Sequence, residues 1–213
     1  MPKYLGAIFD LDGVLVDTAK YHFLAWKKLA DQLNIPFTEE DNEQLKGVSR
    51  VKSLDILLSL GKKSYSEDER KCFMEKKNED YVHYISQMDE SEILPGVVQL
   101  LDQLRLQQIK IALGSASKNS GLILRNTKLQ TYFDAIVDGN DVSKAKPDPE
   151  VFLLGAQKLG VPASRCMVFE DAKAGIEAAK QAGMLAIGVG TKKNLPNADV
   201  LFENLEALDL SVL

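Results

Sequence analysis

The stretch AIFDLDGVLVDT, residues 7–18, places three aspartates directly after a short apolar run. The apolar run is typical of a buried strand, and Gly13 allows the chain to turn sharply after it. Asp10 and Asp12 therefore follow a predicted strand end, while Asp17 and Thr18 stand where a helix is expected to begin and are candidates to cap it. Each aspartate alone fits a simple turn or cap role, so the functional interpretation depends on the rest of the chain.

The composition is that of an ordinary globular protein. The chain has 213 residues, of which 45% are hydrophobic and 27% are charged, and its formal net charge is −5. This charge and the lack of a basic run argue against a nucleic-acid partner. Without a long apolar run or an N-terminal signal pattern, we expect a cytoplasmic protein with no membrane partner. Cys72 and Cys166 lie far apart and are expected to be reduced thiols.

Strand and helix patterns alternate through most of the chain. Apolar runs rich in β-branched residues predict five buried strands, with helical patterns between the later ones. The strands are expected at 5–9, 109–113, 135–137, 167–169 and 186–189. This alternation predicts an α/β fold with a parallel, Rossmann-like sheet that is covered by helices on both faces.

Residues 18–88 interrupt this alternation, because they show helical periodicity and charge without a convincing strand. A stretch of this length is too long for a crossover between neighbouring strands. We therefore predict a core domain formed by residues 1–17 and 89–213, with an inserted helical domain at 18–88. Its first helix carries an apolar stripe that includes His22 and Trp26. From the stripe alone, His22 is better explained as a packing histidine than as a functional one.

Acidic residues follow two of the predicted strands. Asp10 and Asp12 follow the first strand, and Glu170 and Asp171 follow the strand at 167–169. In parallel sheets these strand ends meet at one edge, where ligands bind. Carboxylates held close together there repel each other unless a cation lies between them, and Mg²⁺ favours such oxygen ligands. Taken alone, Glu170 and Asp171 also fit a helix N-terminus, which favours acidic residues.

Two further loops offer groups that suit a phosphate. The sequence SASKN at 115–119 follows the second predicted strand and offers Ser115, Ser117, Lys118, Asn119 and free backbone N–H groups. Lys146 precedes Pro147 after the third strand and adds a positive charge. In isolation, the first loop is equally an ordinary turn and Lys146 an ordinary solvated charge.

Four separated motifs together resemble the haloacid dehalogenase superfamily of phosphotransferases. They are DLDGVLVDT at 10–18, LGSASK at 113–118, KPDP at 146–149 and FEDAKAG at 169–175. The resemblance implies a Rossmann-like core with a cap domain, a Mg²⁺ cofactor and covalent catalysis through an aspartyl-phosphate. It also implies that Asp10 is the nucleophile and Asp12 the general acid and base. The transferred phosphoryl group would be bound by Ser115, Ala116 and Lys146, and the metal by Asp10, the backbone carbonyl of Asp12, Glu170 and Asp171.

The inserted segment resembles the cap of phosphomutases in this superfamily that act on β-glucose phosphates. The resemblance rests on YHFLAW at 21–26, NEQLKGVSR at 42–50 and EKKNEDYV at 75–82. It implies a set of residues for the sugar and its distal phosphate: Thr18, His22, Trp26, Gly47, Val48, Ser49, Arg50, Lys77, Asn78, Ser117, Lys118 and Asn119. Either Lys76 or Lys77 fits the lysine position, and the adjacent asparagine favours Lys77.

These resemblances imply a mutase that interconverts β-D-glucose 1-phosphate and β-D-glucose 6-phosphate through a β-glucose 1,6-bisphosphate intermediate. Its partners would then be small hexose phosphates and bisphosphates, and a monomer is expected. The core motifs fit a sugar-phosphate phosphatase equally well, and the cap segments favour the mutase. A non-catalytic phosphosugar-binding module is a third reading, against which the intact Asp10 and Asp12 argue.

Overall fold

The computed structural model describes residues 3–208, so residues 1–2 and 209–213 of the predicted core domain lie outside the described part. Strands and helices alternate along most of the chain. The strands are β1 (Gly6–Phe9), β2 (Lys110–Gly114), β3 (Ala135–Val137), β4 (Cys166–Glu170), β5 (Leu185–Val189) and β6 (Val200–Phe202). The helices are α1 (Ala19–Gln32), α2 (Glu39–Glu43), α3 (Arg50–Leu60), α4 (Glu67–Ile85), α5 (Val97–Leu106), α6 (Ser120–Asn126), α7 (Glu150–Leu159) and α8 (Lys173–Gln181).

The six strands form one parallel sheet in the order β3-β2-β1-β4-β5-β6. This confirms the predicted α/β class and the parallel, Rossmann-like sheet. The sequence analysis missed β6, whose three apolar residues form a short, half-buried strand at the edge of the sheet. It also placed Glu170 after a strand, whereas Glu170 is the last residue of β4.

The register of the sheet brings three strand ends together. Phe9, at the end of β1, is paired with Leu113 of β2 on one side and with Phe169 of β4 on the other. The residues that follow these three positions therefore emerge side by side at the carboxyl edge of the sheet. This edge carries Asp10, Ser115 and Glu170.

Apolar clusters cover both faces of the sheet. Phe9 and Phe169 belong to one cluster, and their rings stack with centroids 4.4 Å apart. Ile8, the neighbour of Phe9, points to the opposite face and packs in a second cluster that includes Phe152. Burial on both faces explains why the strands have continuous apolar runs rather than alternating patterns.

The segment between β1 and α5 contains the helices α1 to α4, with α1 packed against α4. It has an apolar cluster of its own, in which Trp26, Leu54 and Leu57 are buried. The chain enters and leaves this segment side by side, because Asp17 N donates to Glu92 O at 2.9 Å and Leu94 N donates to Leu15 O at 3.0 Å. None of the helices within residues 3–208 has the length and apolar character needed to cross a membrane.

The prediction that the side chain of Thr18 caps the first helix is wrong. Thr18 does occupy the N-cap position of α1, but its side chain makes no capping hydrogen bond. Its backbone ψ of −4° is helical, whereas a capping side chain needs extended backbone at this position. The hydroxyl donates instead to Asp12 Oδ1. Asp17 is half exposed and lies 3.9 Å from the ammonium group of Lys20.

Candidate active site

Lys146 connects two carboxylates at the carboxyl edge of the sheet. Its Nζ donates to Asp10 Oδ1 at 2.6 Å and to Glu170 Oε1 at 2.7 Å, and all three side chains are buried. Burial alone would lower the pKa of Lys146, but the charges of Asp10 and Glu170 outweigh it and raise that pKa. Lys146 is therefore a fixed positive charge beside the predicted nucleophile.

An acidic cluster able to hold a metal ion lies at the same place. Asp10, Glu170 and Asp171 each offer a carboxylate oxygen, and these oxygens lie within 4.8 Å of one another. Burial, with the neighbouring negative charges, raises the pKa of Glu170 to about 7 and that of Asp171 well above its usual range. Three carboxylates with the ammonium groups of Lys146 and Lys46 leave the cluster short of positive charge. This donor set fits a hard divalent cation such as Mg²⁺.

The loop after β1 packs directly against the acidic cluster and leaves no space for a side chain at position 13. Gly13 has a φ of +80°, and a Cβ atom at this position would overlap the carboxylate of Asp171. On the other side, Ala172 N donates to Glu170 Oε2 at 2.7 Å and so fixes the direction of that carboxylate. The acidic side chains are thus held by close packing and by the backbone of the FEDAKAG loop.

The loop after β2 is folded through its own serines. Ser117 N donates to Ser115 Oγ at 3.0 Å, and Asn119 N donates to Ser117 Oγ at 3.2 Å, while Ser115 N donates to Val137 O. The expectation of free N–H groups is therefore correct only in part. Within residues 3–208, the N–H groups of Ala116 and Lys118 are the ones in this loop without a partner.

Asp12 is the end of a chain of polar side chains that starts on α4. Lys77 Nζ lies 3.0 Å from His22 Nδ1, and His22 Nε2 lies 3.8 Å from Asp12 Oδ1. Burial lowers the pKa of His22 well below its usual value, and the charges of Lys77 and Arg50 lower it further, so the ring is neutral. When Lys77 is protonated, its ammonium group can only donate, so His22 Nδ1 accepts and Nε2 carries the proton that faces Asp12.

The protonation of Asp12 suits proton transfer near neutral pH. Burial, followed by the charge of Asp10, raises the pKa of Asp12 to about 6. A carboxyl group with such a pKa can both give and take a proton at physiological pH. The sequence analysis assigned this role to Asp12 through the resemblance, and the position of Thr18 as its hydrogen-bond donor was not foreseen.

Tyr81 completes this arrangement and was missed by the sequence analysis. Its ring is 1% exposed and stacks on His22 with centroids 4.1 Å apart, and Lys77 Nζ lies 4.5 Å from its centre. Tyr81 comes four residues after Lys77 on α4, which puts both on one face of that helix. That spacing was the available signal, but an aromatic residue at helical spacing usually indicates only packing.

A second polar group lies between α3, α4 and the loop after β2. Arg50 Nη2 donates to Asn78 Oδ1 at 2.7 Å, and Asn119 Nδ2 donates to the same oxygen at 2.9 Å. Asn78 thus joins the inserted segment to the core. Lys77 is buried, and its Nζ lies 3.0 Å from His22 Nδ1, whereas Lys76 is exposed. Of the two lysines, Lys77 is therefore the one that faces the interior.

A cavity of about 550 Å³ lies between the inserted segment and the carboxyl edge of the sheet. It is large enough for a phosphorylated sugar. The cavity wall includes most of the predicted site residues, namely Asp10, Asp12, His22, Trp26, Gly47, Val48, Ser49, Arg50, Lys77, Ala116, Ser117, Lys118, Asn119 and Asp171. The predicted residues that lie behind this wall are Thr18, Asn78, Ser115, Lys146 and Glu170.

Thr18 was predicted to contact the substrate, and the structure does not place it there. It is fully buried and directed to Asp12, because its hydroxyl takes the carboxylate as acceptor. Asn78 likewise lies behind Arg50 and Asn119 and positions both of them. Neither Thr18 nor Asn78 lines the cavity, and both hold side chains that do.

The loop before α3 closes the cavity over the acidic cluster. Gly47 has a φ of +70°, and a Cβ atom there would lie 2.9 Å from the Cβ of Ala172, so the two backbones approach closely. Lys46 Nζ lies 3.7 Å from Asp171 Oδ2. Ser49 accepts a hydrogen bond from Lys52 N and caps α3, which fixes the position of Arg50 at its first turn.

An α/β sheet with acidic, serine and lysine groups at its carboxyl edge defines a phosphoryl-transfer fold, and the chain belongs to the haloacid dehalogenase-like hydrolase family, whose model matches residues 4–183. Among curated relatives, it is 46% identical over 208 residues to the β-phosphoglucomutase of Bacillus subtilis, which covers 97% of this chain and 92% of that protein. It is 35% identical over 199 residues to a phosphorylated carbohydrates phosphatase of Thermotoga maritima, covering 92% and 89% of the two chains.

A solved structure agrees with the first of these relatives. The crystal structure of a β-phosphoglucomutase from Clostridium difficile superimposes with a TM-score of 0.94 at 41% sequence identity. The match covers 98% of this chain and 95% of that one. The similarity therefore extends over the inserted segment as well as the core.

Proposed function

We propose that this protein is a Mg²⁺-dependent phosphomutase that interconverts β-D-glucose 1-phosphate and β-D-glucose 6-phosphate. The observation that carries the proposal is one cavity with Asp10 and Asp171 in one part of its wall and Arg50, Ser117, Lys118 and Asn119 in another. A sugar bisphosphate needs two anion sites at once, one for the reacting phosphate and one for the distal phosphate. The 46% identity to a β-phosphoglucomutase supports the same substrate.

The reaction uses Asp10 and Asp12 in turn. Phosphorylated Asp10 transfers its phosphoryl group to the 6-hydroxyl of β-glucose 1-phosphate, while Asp12 takes the proton of that hydroxyl. The resulting β-glucose 1,6-bisphosphate then reorients, so that its 1-phosphate faces Asp10. A carboxylate oxygen of Asp10 then attacks the phosphorus at position 1, and Asp12 returns the proton to the departing sugar oxygen. The products are glucose 6-phosphate and phosphorylated Asp10.

Several residues stabilise the negative charge of the phosphoryl group during its transfer. Lys146 is a buried positive charge 2.6 Å from Asp10, where it offsets the negative charge of the phosphoryl group. The predicted Mg²⁺ fits the oxygens of Asp10, Glu170 and Asp171, with the backbone carbonyl of Asp12, and would polarise the phosphoryl oxygens. Ser115 and the N–H group of Ala116 are proposed to bind the same phosphoryl group.

We propose that residues 18–88 act as a cap and that residues 1–17 and 89–213 form the core. A mutase must keep water away from phosphorylated Asp10, and a cap closed over the cavity does so. Arg50 is suited to the distal phosphate because its planar guanidinium binds two phosphate oxygens at once. In the same proposal His22 couples cap closure to Asp12, while Trp26, Gly47 and Val48 form the wall around the sugar. We also propose that the protein is a cytoplasmic monomer.

A sugar-phosphate phosphatase is the second candidate, because one relative with 35% identity carries that description. The two functions share every core residue and differ in whether water or a sugar hydroxyl receives the phosphoryl group. The test is a pair of assays on purified protein with Mg²⁺, β-glucose 1-phosphate and a trace of β-glucose 1,6-bisphosphate. One assay follows glucose 6-phosphate and the other follows inorganic phosphate.

We expect glucose 6-phosphate to form much faster than inorganic phosphate. Steady phosphate release without glucose 6-phosphate would establish the phosphatase and reject the mutase. The matched control is Asp10→Asn, which should bind the sugar phosphate but lose turnover in both assays. If the parent protein also lacked turnover while Asp10→Asn bound ligand normally, the protein would be a non-catalytic binding module.

A further inference from the structure

Two side-chain oxygens within residues 3–208 are buried without a hydrogen-bond partner, Asn42 Oδ1 and Tyr81 Oη. Both residues line the cavity described above. The hydroxyl of Tyr81 lies beside Thr18 and Asp12, so it belongs to the group of residues around the acid and base. Asn42 has no such place in the reaction as derived so far.

Asn42 lies in α2, shortly before the loop of Lys46 and Gly47 that covers the acidic cluster. Its backbone is held on both sides, because Asn42 N donates to Thr38 O at 3.1 Å and Leu45 N donates to Asn42 O at 2.9 Å. The residue is 6% exposed. A rigid backbone and nearly complete burial therefore keep the amide at the cavity wall.

The unpaired atom indicates the chemistry of its partner. A buried amide without a partner destabilises the folded protein, whereas an apolar residue of similar size would not. Asn42 lines the cavity, and its Oδ1 has no partner among the described residues, so a ligand bound in the cavity is the group that can supply one. An amide oxygen accepts hydrogen bonds, so its partner must be a donor. A sugar hydroxyl is a donor, and a phosphate oxygen is not.

We propose that Asn42 is a specificity-determining residue that accepts a hydrogen bond from one ring hydroxyl of the bound hexose phosphate. The inference rests on the proposed function only in taking a hexose phosphate as the ligand. The same contact would serve a mutase or a phosphatase, because both hold the sugar in this cavity.

The test compares the parent protein with Asn42→Ala on β-glucose 1-phosphate and on its 2-deoxy, 3-deoxy and 4-deoxy analogues, followed by phosphorus NMR. With the full sugar, we expect kcat/KM to fall about tenfold in the variant, the size of one hydrogen bond between neutral groups. With one of the three analogues, the parent and the variant should have equal kcat/KM. With the other two analogues the tenfold difference should remain.

Thermal melting separates a ligand contact from a structural role. Asn42→Ala removes an unsatisfied group, so its melting temperature should equal or exceed that of the parent while its kcat/KM falls. Gln44→Ala is the matched control, because Gln44 is exposed at the end of the same helix and does not line the cavity. It should leave both quantities unchanged.

An equal loss of kcat/KM on all four sugars, or no loss on the full sugar, would overturn the inference. A lower melting temperature with unchanged kcat/KM would overturn it too and show that Asn42 is structural. If the parent releases phosphate and forms no glucose 6-phosphate, the mutase proposal fails. The same comparison on phosphate release would then still decide the role of Asn42.

Discussion

Gly13 follows Asp12 in the loop after β1, and its lack of a side chain leaves room for the carboxylate of Asp171. Its substitution therefore tests the acidic cluster as a metal site. In Gly13→Ala, the new Cβ would overlap Asp171 and the φ of +80° would be strained. We expect activity to need more Mg²⁺, with a loss of about tenfold to a hundredfold at a fixed low concentration, since disturbing the groups that orient metal ligands weakens metal sites by this factor. The measurement is activity as a function of Mg²⁺ concentration.

Gly183→Ala is the matched control for this prediction. Gly183 has a similar φ of +71°, but no atom lies within 4 Å of a Cβ built there. This variant should lose about 1 kcal/mol of stability from backbone strain and keep the parent's response to Mg²⁺. Equal effects of the two variants on the Mg²⁺ response would contradict the role given to Gly13.

Lys77 should make stability depend on pH in a specific direction. Burial, and next the charge of Arg50, lower the pKa of Lys77 to about 7 from 10.5. The unfolded chain therefore binds more protons than the folded one between these two values, so the contribution of Lys77 to stability rises with pH across this window. Below about pH 7 the folded protein carries a buried charge.

We expect Lys77→Met to raise stability relative to the parent near pH 6 and to lose this advantage near pH 10. The measurement is the free energy of unfolding in urea for both proteins at the two pH values, without ligand. Lys76→Met is the control, since Lys76 is exposed, and should show no such dependence. A constant difference between Lys77→Met and the parent would contradict the lowered pKa.

At the scale of elements, α4 connects the proposed cap to the proposed core. Asn78 accepts from Arg50 of α3 and from Asn119, which directly precedes α6. Asn78→Ala removes both hydrogen bonds, each worth about 0.5–1.5 kcal/mol. We expect the cap to close less tightly, so that a larger share of phosphoryl groups is lost to water.

The measurement for Asn78→Ala is the ratio of inorganic phosphate released to glucose 6-phosphate formed, which should rise several-fold. Glu79→Ala, at the next and exposed position of α4, is the control and should keep the parent's ratio. An unchanged ratio in Asn78→Ala would show that this bridge does not help to exclude water.

The strand ends were predictable from sequence, because chemistry and local pattern coincide there. Asp10, Ser115 and Glu170 each stand at the end of an apolar run, and a parallel sheet brings such ends to one edge. The tertiary contacts of α4 were not predictable in this way. Tyr81 and Asn42 look like ordinary helix residues, and only the packing of the inserted segment on the sheet shows that both residues line the cavity.

The predictions for the strand β6 and for the N-cap of α1 failed for a related reason. Val200–Phe202 is only half-buried and forms a strand because β5 offers its edge as a partner. Thr18 has the sequence context of a helix cap, yet the carboxylate of Asp12 is within reach of its hydroxyl. In both cases a side chain or strand outside the element itself decides what the pattern of that element leaves open.

At the scale of the whole molecule, the buried carboxylates should make the metal-free protein less stable as pH rises. The pKa of Asp12 is raised to about 6 and that of Glu170 to about 7. The folded state therefore binds more protons than the unfolded state between the ordinary carboxyl pKa and these values, so stability falls across this window. A bound cation would replace those protons.

We expect Mg²⁺ to raise the melting temperature, and to do so more near pH 8 than near pH 5, because the ionised carboxylates bind it better. Melting curves with Mg²⁺ or with a chelator at both pH values provide the measurement. Asp171→Asn should reduce the Mg²⁺ effect, since it removes one carboxylate of the cluster. A Mg²⁺ effect of equal size in Asp171→Asn would place the cation elsewhere.

The central position of β1 also sets the order in which the molecule can assemble. Gly6 lies near the start of the chain, yet it is paired with Lys110 on one side and with Cys166 on the other. Contacts so distant in sequence form late, whereas helices such as α1 and α4 pack within one short segment. During synthesis the cap is therefore expected to fold before the strand that carries Asp10 has any neighbour. The catalytic edge is complete only when β4 has left the ribosome.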